Sequence, residues 1–317
     1  MITQLAVILA LAPSSVLPGR QEADLVRRFQ VGEKLTYEFV SRLNIDFREG
    51  NLETFIPLRH TYRYTFTLST EKEKPEGAAD VRFERDKIVQ QTGETFYSSP
   101  KEEKVGRKEN ILYTFSRRNR AIGRKDESPE EEKKEPPPFL MSMNAEPVQF
   151  GYGRWVAQMY GLAAFVRFFD FGPVLPNRRV SEGDTWKETK GYGPLTLTSG
   201  ADKGKNIVGR LDLTYTYKGN TEVDGKQVVW IEGRLEQDTD AAPYVADLFG
   251  IDLKDSPFTE IRLIFEAAVD YYLEPGSLQV YAIKAQFQGS TAVTRAGWEG
   301  GPWREDRFRS RASLTRK

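Results

Sequence analysis

The sequence predicts a mainly β protein: two related curved antiparallel sheet units joined by a charged loop and one buried helix. Three observations predict it. Apolar and polar residues alternate over long runs, one pattern recurs at a fixed spacing, and an apolar segment without alternation separates the two halves. Alternation with a period of two sends successive side chains to opposite faces of a strand, so each such run has one buried face.

The first run starts at Leu35 and continues through Tyr37, Phe39, Leu43, Ile45 and Phe47, with polar residues at most positions between. A second holds Tyr62, Tyr64 and Phe66, and a third Leu211, Leu213, Tyr215 and Tyr217. A fourth extends from Ile261 to Leu273, turns at Glu274-Pro275-Gly276-Ser277, and alternates again through Tyr281, Ile283, Ala285 and Phe287. Pro-Gly supplies the backbone angles of a tight turn, so residues 260–288 read as a long hairpin.

An offset of 151 lays Gly32-Glu33-Lys34 on Gly183-Asp184-Thr185, and Tyr62, Tyr64 and Phe66 on Leu213, Tyr215 and Tyr217. In each half a Gly-acidic turn launches a strand and an aromatic strand follows. Either the halves arose by internal duplication or amphipathic strands merely resemble one another.

The expected units are 21–116 and 181–317. Residues 117–138 carry a basic block, an acidic block and Pro136-Pro137-Pro138, with almost nothing apolar, and read as a solvated, mobile loop. A connecting segment, 139–180, contains a predicted buried helix at 154–169, framed by Gly153 and by Gly172-Pro173; a second short helix is expected from Ala242 to Phe249. Residues 1–20 read as a signal peptide, because Leu5–Ala12 is apolar but too short to span a bilayer. No Lys or Arg precedes that run and no Ala-x-Ala site stands before Gln21. The expectation is therefore an exported bacterial protein, periplasmic or secreted, whose mature chain has no transmembrane span.

Composition narrows the chemistry. Forty-six Lys and Arg balance 46 Asp and Glu, so no overall field favours nucleic acid. Without cysteine there are no disulfides, thiolate nucleophiles or Cys-based metal sites, and His60 as the sole histidine removes His-centred triads. No cofactor is expected.

The stretch from Phe171 to Trp186, with Leu175-Pro176, Val180 and Gly183-Asp184-x-Trp186, resembles an element of uncharacterised bacterial exported β-rich proteins, a domain of unknown function. Tyr217 to Ile231, with its Asp224-Gly225 turn, is similar to the two strands that follow in those proteins. The resemblance implies an envelope or secreted β protein and carries over no catalytic residue. The lipobox cysteine common there is missing here.

Candidate binding residues are few. Asp184 beside Trp186 suits a sugar or a polar head group, or else marks a tight turn whose Trp anchors the next strand. Tyr152 and Tyr192, each inside Gly-Tyr-Gly, offer rings for stacking or simple turn punctuation. Arg304, Arg307, Arg309 and Arg311 alternate around Phe308 and could meet an anionic lipid or polymer, or guard an edge strand with charge. The leading expectation is a non-enzymatic envelope protein that binds an apolar or amphiphilic small molecule, or an envelope protein, through a curved sheet face. The alternative is a glycan hydrolase using two carboxylates.

Overall fold

A computed structural model describes residues 22–93, 99–133, 172–191, 210–242 and 253–317. The signal segment, the helix at 154–169, most of the helix at 242–249, and both Tyr152 and Tyr192 lie outside the described residues. The first seven strands are β1 (Lys34–Glu49), β2 (Ile56–Lys74), β3 (Ala78–Arg85), β4 (Ile88–Thr92), β5 (Lys101–Val105), β6 (Glu109–Phe115) and β7 (Ala121–Asp126). A four-residue helix, α1 (Glu130–Lys133), follows. The others are β8 (Thr185–Gly191), β9 (Arg210–Val223), β10 (Lys226–Asp240), β11 (Phe258–Leu273), β12 (Val280–Arg295) and β13 (Arg304–Arg316).

All thirteen strands belong to one antiparallel sheet in the order β7-β6-β3-β2-β1-β13-β12-β11-β10-β9-β8, with β4 and β5 branching from β2. The protein is therefore mainly β, as expected, but the two units are halves of one sheet. Their seam is the pairing of β1 with β13, from Tyr37 opposite Arg316 to Glu49 opposite Arg304. β13 is thus central, with β12 on its other side, and the charged edge strand anticipated there is corrected. The segment 117–138 is also corrected in part: β7 pairs with β6, and α1 follows. β7 is an edge strand with no fully buried side chain, so its sequence lacks the apolar alternation by which strands are recognised.

Where the alternation is strong, the strands follow it. β11 and β12 form the expected hairpin, with Gly276 and Leu278 at positive φ in its turn. β9 and β10 turn at Asp224 and Gly225, whose φ values of 51° and 76° match the paired left-handed geometry that a twisted two-residue hairpin requires. The two Gly-acidic turns share one hydrogen-bond pattern. Gly32 N–H donates to Thr70 O and Thr70 N–H to Glu33 O, while Gly183 N–H donates to Tyr217 O and Tyr217 N–H to Asp184 O. The ladders then differ. Lys34 faces Ser69, which the offset of 151 maps onto Asn220, yet Thr185 faces Thr216. A slip of an even number of residues keeps the same side chains buried.

One face of the sheet is the core, floored by Tyr37, Phe39, Phe66, Tyr215, Phe265 and Phe308 among others. The sheet curls so that its edges meet at one end. Arg120, in the β6–β7 turn, pairs with Glu188 on β8, and Leu175 N–H donates to Arg118 O. Residues 22–31 cross this end: Ala23 bridges to Val180, Arg27 N–H donates to Arg117 O, and Arg28 N–H to Ser277 O. The Arg27 side chain is buried, 4.6 Å from the Phe29 ring and bonded to Asn119, and burial lowers its pKa to about 10. The opposite face of the central strands is polar and open.

Candidate functional site

The Gly-Asp-x-Trp element is placed as an anchor. The Asp184 carboxylate accepts from Ser181 N–H at 3.0 Å and from Arg178 at 3.2 Å, closing the turn in which Gly183 has φ +89°. The Trp186 indole N–H donates to Val174 O at 2.8 Å, and its ring stacks 5.5 Å from Tyr215 at the margin of the core. Both residues have their polar atoms engaged within the protein, and the two Gly-Tyr-Gly tyrosines are not described.

The C-terminal arginines divide by parity. Arg304 shares the buried face with Phe308; its guanidinium pairs with Asp306 at 2.9 Å and Glu49 at 2.8 Å. Arg307, Arg309 and Arg311 point to the open face. Arg307 lies 4.3 Å over the Phe55 ring. Because β13 is central, Arg309 and Arg311 sit mid-sheet, where cross-strand register supplies neighbours that the sequence did not reveal. Arg42 of β1 faces Arg311 directly, and Asn44 faces Arg309. On the far side, Gln286 and Gln288 of β12 face Arg311 and Arg309.

These residues line a hollow of about 700 Å3 that continues over β11 and β10. There Ala268 faces Arg234, and Glu266 faces Glu236. The small side chain of Ala268, between Gln286 and Arg234, lowers the floor. A second hollow, of about 510 Å3, shares Arg42 and Asn44 and extends over β2, β4 and β5 to Arg59, Gln91 and Lys101. Together they form one depression across the open face, basic over β1 and β13, acidic over β10 and β11, with the two glutamines between.

Three other arginines on this face have carboxylate partners. Arg59 pairs with Asp46 at 2.8 Å, Arg234 with Glu232 at 2.7 Å and Arg262 with Asp238 at 3.0 Å. Arg42, Arg309 and Arg311 make no hydrogen bond, ion pair or ring contact with any described residue. Like charges directly opposite on neighbouring strands are destabilising, so the Arg42–Arg311 pair is an electrostatic cost that the fold itself does not offset. Sequence reasoning missed Arg42. Its alternation with Ser41 and Leu43 marks an open-face residue, but only register places it against Arg311.

His60 lies beside this site on the buried side of β2, stacked 6.0 Å from Tyr62, with Nδ1 3.3 Å from Thr92 Oγ1. Burial holds its pKa below the usual imidazole value. The neutral form is favoured on folding, so this contribution to stability is fully present above the unfolded pKa of about 6.5 and is lost as pH falls below it. We expect the denaturation midpoint of the wild type to drop more between pH 7 and pH 5 than that of His60→Gln. A single-histidine NMR titration with an ordinary or raised pKa would contradict this.

Among the described residues no group of three His, Cys, Asp or Glu is placed to hold a metal ion, and no helix is long and apolar enough to cross a membrane.

No family model matches the chain, and no curated protein matches it. Solved structures similar to it include lipovitellin, described under lipid–protein interactions, at 10% identity and a TM-score of 0.43. That match covers 92% of this chain, which spans only 25% of the lipovitellin chain. DynF from the dynemicin biosynthesis pathway of Micromonospora chersina matches at 6% identity and a TM-score of 0.22, covering 98% of this chain and 92% of its own. A DUF1329 family protein from Desulfovibrio piger matches at 8% identity and a TM-score of 0.12, covering 88% of this chain and 83% of its own. With every TM-score below 0.5, these likenesses carry no weight for fold or ligand, and the fold rests on the strand pairing itself.

Proposed function

We propose that the protein is a non-enzymatic, exported binding protein that receives its ligand on the open face of the curved sheet. The supporting observation is the continuous depression across β2, β1, β13, β12, β11 and β10, whose two hollows meet at Arg42 and Asn44. Cavities of this size suit small molecules and rigid polar groups. Most of the aromatic rings that suggest an apolar ligand from the sequence lie on the other, buried face, although Trp230 and Tyr272 meet on the open face with centroids 6.3 Å apart. The open face therefore favours a polar ligand, or the polar end of an amphiphile, over a wholly apolar one.

The hydrolase alternative draws on Glu236 and Glu266, the carboxylate pair in the hollow. They stand side by side on adjacent strands, whereas glycosidase carboxylates flank the scissile bond from two sides. The geometry favours binding over hydrolysis.

Ala268 provides the test, because its side chain meets the hollow and leaves the core untouched. Native mass spectrometry of protein purified from its own host should show a releasable small-molecule adduct, and Ala268→Trp should lose it while keeping a wild-type melting temperature. A clean mass, or an adduct indifferent to Ala268→Trp, would count against the open face as the binding face.

A further inference from the structure

We propose that Arg42, Arg309 and Arg311 receive a compact oxyanion: the phosphoryl, sulfo or carboxyl group of a small soluble ligand. The assignment rests on the open face being the binding face and specifies the chemistry it recognises. Directly opposed residues on an antiparallel pair have Cβ atoms about 4.5–5.5 Å apart, so Arg42 and Arg311 hold two guanidinium groups close together. Arg309 stands two residues along on the same face. With no carboxylate offered to any of the three by the described residues, an anion from outside would relieve what solvent leaves of their mutual repulsion. Guanidinium is the side chain best matched to such an anion, since its planar N–H fork bonds two oxygens of a phosphate or carboxylate at once. The Gln286 amide beside Arg311 supplies a further donor in the same hollow, while the Gln288 amide beside Arg309 donates to Glu266 at 2.6 Å.

The neighbours limit the ligand's size and kind. Glu266 and Glu236 stand two and three strands from β13. At about 4.8 Å per strand the Glu266 backbone lies about 10 Å away, its carboxylate reaches towards β12 to accept from Gln288 at 2.6 Å, and the two glutamates would repel a long polyanion laid across the sheet. Towards β2 the next arginine in the row, Arg59, is already neutralised by Asp46. A membrane surface is disfavoured as well. On β1 and β10 to β13, Ile264, 37% exposed, is the single exposed large aliphatic side chain among the described residues, and it offers no belt to enter a bilayer.

The test uses the full chain, dialysed free of multivalent anions, with inorganic pyrophosphate as the probe in titration calorimetry and thermal melts. Saturable binding with a Kd of about 1 mM or tighter is expected, together with a rise in melting temperature. Arg42→Gln and Arg311→Gln should each weaken binding by about tenfold or more, a loss of one charge-assisted contact. In anion-free buffer each should melt at or above the wild-type temperature, because repulsion is relieved. A residue with a merely structural role would lower it. Arg262→Gln, on the same face but paired with Asp238, should bind as the wild type does.

The proposal is overturned by no saturable heat with the wild type, by undiminished binding in both arginine variants, or by binding to phosphatidylglycerol vesicles without binding to pyrophosphate. If pyrophosphate fails while the host-derived adduct is still lost in Ala268→Trp, the open face stands and the oxyanion does not. If the adduct is also indifferent to Ala268→Trp, both readings fall.

Discussion

Gly289→Ala is expected to destabilise the protein by about 3 kcal/mol or more, at the upper end of what overpacking costs. Gly289 lies on β12 with Phe265 opposite on β11 and Phe308 opposite on β13. The two rings meet across it with centroids 5.9 Å apart. A Cβ at this position would stand 2.4 Å from the Ile264 carbonyl oxygen and 2.5 Å from the Phe308 ring. The carbonyl is backbone in the middle of a sheet and has nowhere to go, so the strain must pass to the ladder or to both rings. Gly233 of β10 makes a useful contrast. Its Cβ would meet only ring atoms, Tyr271 at 3.1 Å and Tyr215 at 3.3 Å, which tilt away more cheaply. Urea midpoints should therefore place Gly289→Ala well below Gly233→Ala; equal midpoints would mean that the strands at β11–β12 yield as readily as a ring.

Asp306→Ala should cost about 3–5 kcal/mol, the range found when one partner of a buried ion pair is removed. Asp306 is fully buried, accepts from Thr291 at 2.7 Å, and pairs with the Arg304 guanidinium, which also lies 4.9 Å over the Phe47 ring. Without Asp306 the arginine keeps Glu49, which sits nearer the surface, and loses both carboxylate oxygens bonded to its Nε. The penalty belongs to the stranded charge rather than to the pair. The double variant Arg304→Met with Asp306→Leu should then recover most of the loss in chemical denaturation. A double variant as unstable as Asp306→Ala would show that the pair itself supplies the stability.

Both positions bear on what the sequence discloses. Strands with a strong buried face, β1, β2, β9, β11 and β12, are legible because their aromatic and aliphatic residues alternate over most of their length, with single exceptions such as Ser41 and Thr291. β5, Lys-Glu-Glu-Lys-Val, and β7 are not, since strands with little buried surface need only ladder hydrogen bonds and complementary charges. On β13 the core-facing set holds Arg304, Asp306 and Ser310 among apolar residues, so its central position is hidden by polar groups that satisfy one another inside. The parity that separates Arg304 from Arg309 and Arg311 can be read from Phe308 alone. The partner Arg42 cannot, because register between residues 269 apart is set by the whole seam and leaves no local trace.

That seam also governs how the molecule comes together in time. Glu49 and Arg304, 255 residues apart, are neighbours across it. Long-range β pairing is slow because closing so large a loop is entropically unfavourable before any contact repays it. Each half can zip from local hairpins, which leaves the bare margins of β1 and either β12 or β13 waiting for one another. Such unpaired edges are templates for the wrong chain as well as the right strand. The molecule's exposure to misassembly is thus concentrated in a single late event, and conditions that slow the joining of the halves should favour aggregation even where the finished sheet is stable.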